Sequence, residues 1–426
     1  MLTREQNERI TRTGPGTLGG ELMRRYWQPV ALSAELAQGS APVPVRLLSE
    51  DLVLFRDEKG RVGLMGRACP HRCTDLSFGR IEDGGLRCLY HGWLFDVSGK
   101  CLEMPAEPDN TPMLNEVRNV AYPCIEAGGL IFTYMGKGEP PQLPDYEFLR
   151  SDDAHRFLKR SVIHCNYLQS LEGEYDPAHL SFLHRPLTKK DTRPVPGTDK
   201  GYSADMYYKE DRRPLLDYQI TDYGVRIFSV RKSTENTKYV RITNFIMPNF
   251  AAIVGNEGRV GEGYSVHFHV PIDDTHHLRF DYVYNRVQPV DKAKYEKRLS
   301  NDVGPDGITK RALDNRYFQD RNLMTTDNFT GMGDSFNVHD AFATESQGPT
   351  QDRSKENLGT TDVIIARVRK LLLEAIDDVE HGRAPLHARR ESPDMSHLIV
   401  MSEVVQAGVD HKEVWKNKVG GKQAAE

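Results

Sequence analysis

Most of the features that assign a chain quickly are scarce here. Among 426 residues there are six cysteines and three tryptophans, and 56 Lys+Arg nearly balance 61 Asp+Glu, for a formal net charge of −5. That balance gives no footprint for nucleic acid or for an anionic membrane surface. No apolar run approaches the roughly 18 residues that suggest a membrane span. The opening MLTREQNERITRTGPG lacks the apolar stretch of a secretory signal. Six scattered cysteines are no disulfide framework in a chain this long. The expectation is a protein of the reducing cytoplasm, with no nucleic-acid or membrane partner, and with length for two or three domains. No internal repeat is visible.

What is present begins with Cys69-Pro70-His71, sixteen further residues, then Cys88-Leu89-Tyr90-His91. Zinc fingers place both cysteines in one half and both histidines in the other. Here each half carries one of each. A Rieske [2Fe–2S] centre needs this set, with two thiolates on one iron and two neutral imidazoles on the other. Each pair fits one short loop, and the spacer is long enough for a hairpin between them. A dinucleotide site, by contrast, is not in view. Gly14-Pro15-Gly16-Thr17-Leu18-Gly19 fits G-x-G-x-x-G, but that pattern has meaning only between a buried strand and a helix. The charged stretch Arg4 to Thr13 precedes it. Electrons originating from NAD(P)H must therefore arrive through a separate protein.

Organisation follows from alternation and punctuation. Val45 to Leu48, Asp51 to Arg56, Val62 to Arg67 and Gly129 to Gly136 read as strands of a small antiparallel β domain. The Gly- and Pro-rich stretch from Gly136 to Pro144 is the clearest linker. Beyond it, Gln219 to Val230, Val240 to Met247 and Tyr264 to Val270 read as further strands, mixed with helices. Thr361 to His381 has apolar residues at helical spacing and Gly382 as a stop. The expected division is an N-terminal arm with helices (1–40), a cluster domain (41–144), a larger catalytic domain (145–400) and a tail (401–426) ending in a loose GGKQAAE.

The larger domain carries Asp176-Pro177-Ala178-His179-Leu180-Ser181-Phe182-Leu183-His184. Two imidazoles and a carboxylate make a facial triad for mononuclear Fe(II), with positions open to O2. On a straight helix His184 would lie roughly 140° round from His179, at about 100° per residue. The helix must break near Pro177 for both to meet one metal. Alone the pattern is weak. Downstream of a Rieske pair it is strong.

Together these residues resemble the catalytic subunit of Rieske non-haem iron aromatic oxygenases, in the phthalate-dioxygenase-like branch that includes vanillate and dehydrodivanillate O-demethylases. The resemblance runs from MRRYWQPVAL through CPHR, CLYHGW and DPAHLSFLHR to Glu345-Ser346-Gln347-Gly348-Pro349 and Asp352-Arg353. It implies an α+β fold, a Rieske β domain plus a helix-grip domain of antiparallel sheet wrapped by helices. It implies Cys69, His71, Cys88 and His91 as cluster ligands, and His179, His184 and Asp340 as iron ligands. Asp176 would bond to His91 across a subunit boundary in a trimer or a multiple of three. O2 is the implied co-substrate, and a ferredoxin or flavoprotein reductase the electron donor. Three positions depart from the family: Cys73 where glycine is common, His339 where glutamine is often found, and Glu172 where relatives often have an amide.

The activity implied is oxidation of an aromatic carboxylic acid, by O-demethylation of a methoxylated lignin-type acid, with ring cis-dihydroxylation of a phthalate-like acid as the alternative. A Rieske electron carrier without oxygenase activity is the reading from another class. Among the remaining polar residues, His267 and His269 share a strand face and suit a structural or substrate-facing role, and His276-His277 reads as a turn. Arg226, Arg231 and Arg241 lie on strand-like segments, where surface ion pairing is the ordinary use. Arg241, within YVRITNFIMP, is favoured as the partner of a substrate carboxylate.

Overall fold

The computed structural model describes residues 1–187, 204–255, 262–304, 307–388, 395 and 398–416. Alternating sequence in the first part folds into Val43–Leu47, Glu50–Arg56 and Val62–Gly66, antiparallel, with Ala121–Tyr122 at the edge. A second small sheet holds Arg80–Glu82, Gly85–Arg87, Leu94–Phe95 and Cys101–Glu103. Its first hairpin turns at Asp83-Gly84, both with positive φ, as a two-residue turn between twisted strands requires. Trp27–Leu32 pairs with Leu130–Tyr134 in a third sheet. The first forty residues hold the helices Arg4–Thr11 and Leu18–Met23 and, beyond what was expected, a sheet strand, because the apolar WQPVAL buries itself.

The strand Glu50–Arg56 serves two cores at once, because successive side chains point to opposite faces. Val53 and Phe55 face a small core that includes Met65, Trp93 and the thiols Cys69 and Cys88. Leu52 and Leu54 face the main core, with Phe132, Val266 and Phe268. The rings of Phe132 and Phe268 meet edge to face across the two parts of the chain, 6.1 Å between centroids.

After the linker comes an eight-stranded antiparallel sheet. In spatial order it runs Arg156–Ile163, His277–Asn285, Gly263–Pro271, Phe250–Ile253, Thr237–Ile246, Gly224–Lys232 and Leu215–Ile220. Phe250–Ile253 covers only one end of an edge of Thr237–Ile246, and Met401–Gln406 pairs with the rest. Met401–Gln406, expected in a tail, is thus a sheet strand. The run expected from Gln219 to Val230 is two strands, because Thr221 to Tyr223 form a turn between them. The GGKQAAE end lies outside the described residues.

Helices close the sheet. Val363–Glu380 buries Ile364, Val368, Leu371, Leu372, Ala375, Ile376 and Val379 and stops at Gly382, with φ of 70°. Arg9, on the helix Arg4–Thr11, bonds to Asp377 and Glu380 at its far end. The glycines of the GPGTLGG stretch serve packing: a Cβ on Gly20 would lie 2.3 Å from the carbonyl oxygen of Gly14. Glu172 is the buried hub of this layer, bonded to Arg353 at 3.0 Å and Arg369 at 2.6 Å. Burial opposes its ionisation, but the two guanidiniums hold its carboxyl below the usual range. Its place is structural. No helix among the described residues is long and apolar enough to cross a membrane.

Candidate metal centres

The two Cys-His pairs sit on loops with the same hydrogen bonds. Cys69 N–H donates to Thr74 O and Cys73 N–H to Cys69 O; Cys88 N–H donates to Trp93 O and Gly92 N–H to Cys88 O. Cys73 and Gly92 are therefore equivalent positions, and both are left-handed, with φ of 59° and 76°. The loops bring the imidazoles of His71 and His91 to 4.4 Å between centroids, and Trp93 stacks on His71 at 4.5 Å. Burial, with Cys88 alongside, pushes the Cys69 thiol up to about 11. His91 Nδ1 is buried and has no hydrogen-bond partner among the described residues. Two thiols side by side and an imidazole nitrogen left bare inside the protein fit a bound metal cluster.

The helix Tyr167–Glu174 ends before Pro177, and His179–Ser181 is a short 3₁₀ turn. The expected break is present. Arg231, fully buried, donates to Pro177 O at 2.8 Å, and its Nη2 lies 3.4 Å from Ser181 Oγ, so it braces the segment that carries His179. The helix Phe336–Glu345 supplies Asp340. One ligand atom each from His179, His184 and Asp340 lies within 4.8 Å of the others. Burial works against charge on His179, but Asp176 and Asp340 push its pKa up. Asp340, despite burial, is held below its usual range by His184, His179 and Arg279. Two imidazoles and a carboxylate converging in this way fit a divalent iron. His339 is not one of the converging groups. Burial, with His184 beside it, pushes it down to about 4, and its Nδ1 meets His184 Nδ1 at 3.2 Å.

Behind Asp340 lies a polar layer that the sequence did not announce. Arg279 reaches Asp340 at 3.9 Å, Glu174 at 3.1 Å and Asp281 at 2.8 Å, and Lys159 closes on Asp281 at 3.0 Å. His267 bridges Glu174 and Asp281, while His269 bonds to Glu174 and to His277. His267, His269, Arg279 and Asp281 stand on one face of two adjacent strands, where His267 pairs with Asp281 and His269 with Arg279. Lys159 lies opposite Asp281 on the next strand, and Glu174 comes from the helix Tyr167–Glu174. His277 is no turn residue: it opens a strand and is wholly buried against Cys165 O. The available signal was charge at every second position, His-Phe-His and Arg-Phe-Asp, inside otherwise apolar strands.

The three strand arginines are not surface ion pairs. Arg226 stacks on Trp415 and Arg231 on Tyr208. Arg241 shares a face with Arg231 and donates to Tyr208 Oη at 3.0 Å, while its Nε is buried without a partner among the described residues.

Two family models account for the chain, a Rieske [2Fe-2S] domain over residues 26–121 and a LigXa C-terminal-like domain over 133–425. The oxygenase subunit of phthalate 4,5-dioxygenase from Pseudomonas putida is 35% identical, across 97% of this chain and 94% of that one. The oxygenase subunit of 5,5'-dehydrodivanillate O-demethylase from a Sphingobium species is 32% identical, across 90% and 83%. The terminal oxygenase of carbazole 1,9a-dioxygenase from Nocardioides aromaticivorans shares the fold, with a TM-score of 0.58 at 20% identity over 87% of this chain and 96% of that one. The chain belongs to the Rieske non-haem iron aromatic oxygenases, as a catalytic subunit. Its place within them is the phthalate-dioxygenase-like branch. Such a subunit works with a Rieske cluster, a mononuclear iron, O2 and electrons from a separate reductase. The electron-carrier reading falls, because the LigXa-like match occupies the chain beyond the linker.

Proposed function

We propose that this subunit oxidises an aromatic carboxylic acid, and that its reaction is O-demethylation of a methoxylated, lignin-type acid. The observation that carries the acid is Arg241. Neither it nor Arg231 makes an ion pair with a carboxylate among the described residues, yet both lie on the sheet face that braces the His179 segment. A guanidinium with a bare buried donor is completed by a carboxylate from outside. The methyl ether rests on the likeness to the dehydrodivanillate enzyme.

In this reading Cys69, His71, Cys88 and His91 hold the cluster, and His179, His184 and Asp340 hold the iron. Bound there, the two centres supply single-electron delivery and O2 activation. Arg241 orients the acid, and Arg231 keeps His179 in place. Asp176, partly exposed and 3.6 Å from His179 Nδ1, is the link to His91 of a neighbouring copy in a ring of three or its multiple. Leu89 and Tyr90, 57% and 55% exposed on the cluster loop, suit contact with such a neighbour or with a ferredoxin or flavoprotein donor. Overall, a methyl ether takes up O2, two electrons and two protons to give a hemiacetal and water. The hemiacetal collapses to a phenol and formaldehyde.

The likeness to phthalate 4,5-dioxygenase favours ring cis-dihydroxylation as the second reading. Reduced enzyme is incubated with O2 and either methoxybenzoates or phthalate. Formaldehyde equal to the phenol formed supports demethylation. A dihydrodiol from phthalate, with no formaldehyde from any ether, replaces it with the second reading. Arg241→Gln should raise KM for the acid far more than it lowers kcat.

A further inference from the structure

Hydrogen-bond direction around His339 determines which nitrogen of His184 is free. His339 Nε2 lies 2.9 Å from Gly333 O, and a carbonyl only accepts, so Nε2 carries the proton. Neutral His339 then has a bare Nδ1. That nitrogen lies 3.2 Å from His184 Nδ1, which must be the donor. His184 is thereby left with a lone pair on Nε2, the atom 3.0 Å from Asp340 Oδ1. The opposite direction would put the proton on Nε2 and block the ligand atom.

The surroundings hold this chain of bonds in place. Phe336 stacks on the His184 ring at 4.3 Å, with 13° between the planes, so the imidazole cannot turn freely. The Gly333 carbonyl belongs to a loop pinned on both sides, by Arg311 to Met332 O at 2.6 Å and by Gly331 N–H to Asn328 Oδ1 at 2.8 Å. His179 presents its Nδ1 to a carboxylate, Asp176, whereas His184 presents its own to a neutral ring.

We propose that His339 is a positioning residue that fixes the tautomer and the ring orientation of His184, so that Nε2 always faces the metal. The inference rests on the reading of His184 as an iron ligand. A metal-bound imidazole is set by the partner of its other nitrogen, and losing such a partner costs about 10–100-fold in metal affinity. His339→Leu removes the acceptor and strands a buried N–H. His339→Gln keeps one acceptor for His184 and one donor for Gly333.

The test follows loss of mononuclear iron from the holoenzyme to a ferrous chelator, with Rieske absorption as the internal control. Loss should be about 10–100-fold faster in His339→Leu, with the Rieske absorption unchanged, and His339→Gln should stay close to the parent. Iron held as firmly by the leucine variant as by the parent overturns the proposal, as does a glutamine variant as leaky as leucine. Should the leucine variant not fold, His339→Met against His339→Gln makes the same comparison. His184→Ala separates the two readings. If it keeps iron, the ligand assignment has failed. If it loses iron while His339→Leu does not, only the role of His339 has.

Discussion

At the end proposed to hold the cluster, two loops of the same shape each carry a cysteine and a histidine a few residues apart, and both cysteines are fixed by backbone bonds inside their own turns. At the end proposed to hold the iron, a broken helix carries two histidines, and a helix far along the chain carries the aspartate. Local turns shape the histidine segment, with Leu183 N–H on His179 O and Ala178 N–H on Asp176 Oδ1, but they do not by themselves set that second geometry. It is held by buried side chains from other elements: Arg231 on the His179 segment, His339 on His184, Arg279 behind Asp340. A local motif can be read from spacing. A site assembled over long range is specified by its supports, and these look like ordinary core or surface residues until the sheet is folded.

The sharpest way to break this contrast is to empty each site in turn. Cys88→Ala should abolish the visible Rieske absorption and all turnover while mononuclear iron stays. Asp340→Ala should do the reverse, losing mononuclear iron with the Rieske spectrum intact. Iron analysis beside absorption reads both, and loss of both centres in either variant would show the sites to be one cooperative unit. Asp176→Asn should leave both loaded, since the amide oxygen can still accept from Ala178 N–H, as Asp176 Oδ1 does at 2.8 Å. Cluster reoxidation in a single turnover should nearly stop, and a near-normal rate would leave Asp176 only a structural part.

Glu172→Gln tests support rather than chemistry. It leaves Arg353 and Arg369 buried without their shared carboxylate, at a cost of about 3 kcal/mol in denaturant unfolding. Because the folded-state pKa of Glu172 is lowered, its stabilisation is full above the ordinary carboxylate value, about 4.3. It is lost as pH falls through the lowered value. Parent and variant should therefore converge in acid, and a constant gap at every pH would remove the carboxylate from the account. The smallest effect is expected at Cys73→Gly, which relieves a left-handed side chain at a position matched by Gly92. The gain should be roughly 0.5–1 kcal/mol, because glycine's own entropy offsets part of the strain. Any loss of stability would mean that the thiol makes a contact of its own.

The sequence was most informative where structure is local. The cluster pairs, the strands around them, the helix Val363–Glu380 and the break near Pro177 followed from spacing and periodicity. Asp340 came only from resemblance, since a lone aspartate on a helix has no pattern to distinguish it. His277 and Met401–Gln406 were misplaced because their burial depends on partners far away, Cys165 O in one case and Thr237–Ile246 in the other. Arg279 went unnoticed for the same reason.

The two-faced strand Glu50–Arg56 bears on engineering by exchange of modules. Leu52 and Leu54 belong to the main core while Val53 and Phe55 belong to the cluster's own. The natural cut for a chimera is therefore not the proline-rich linker. A donor cluster module must bring apolar residues in the same alternating phase. A strand shifted by one position would turn the wrong face to each core, however well its metal loops were copied.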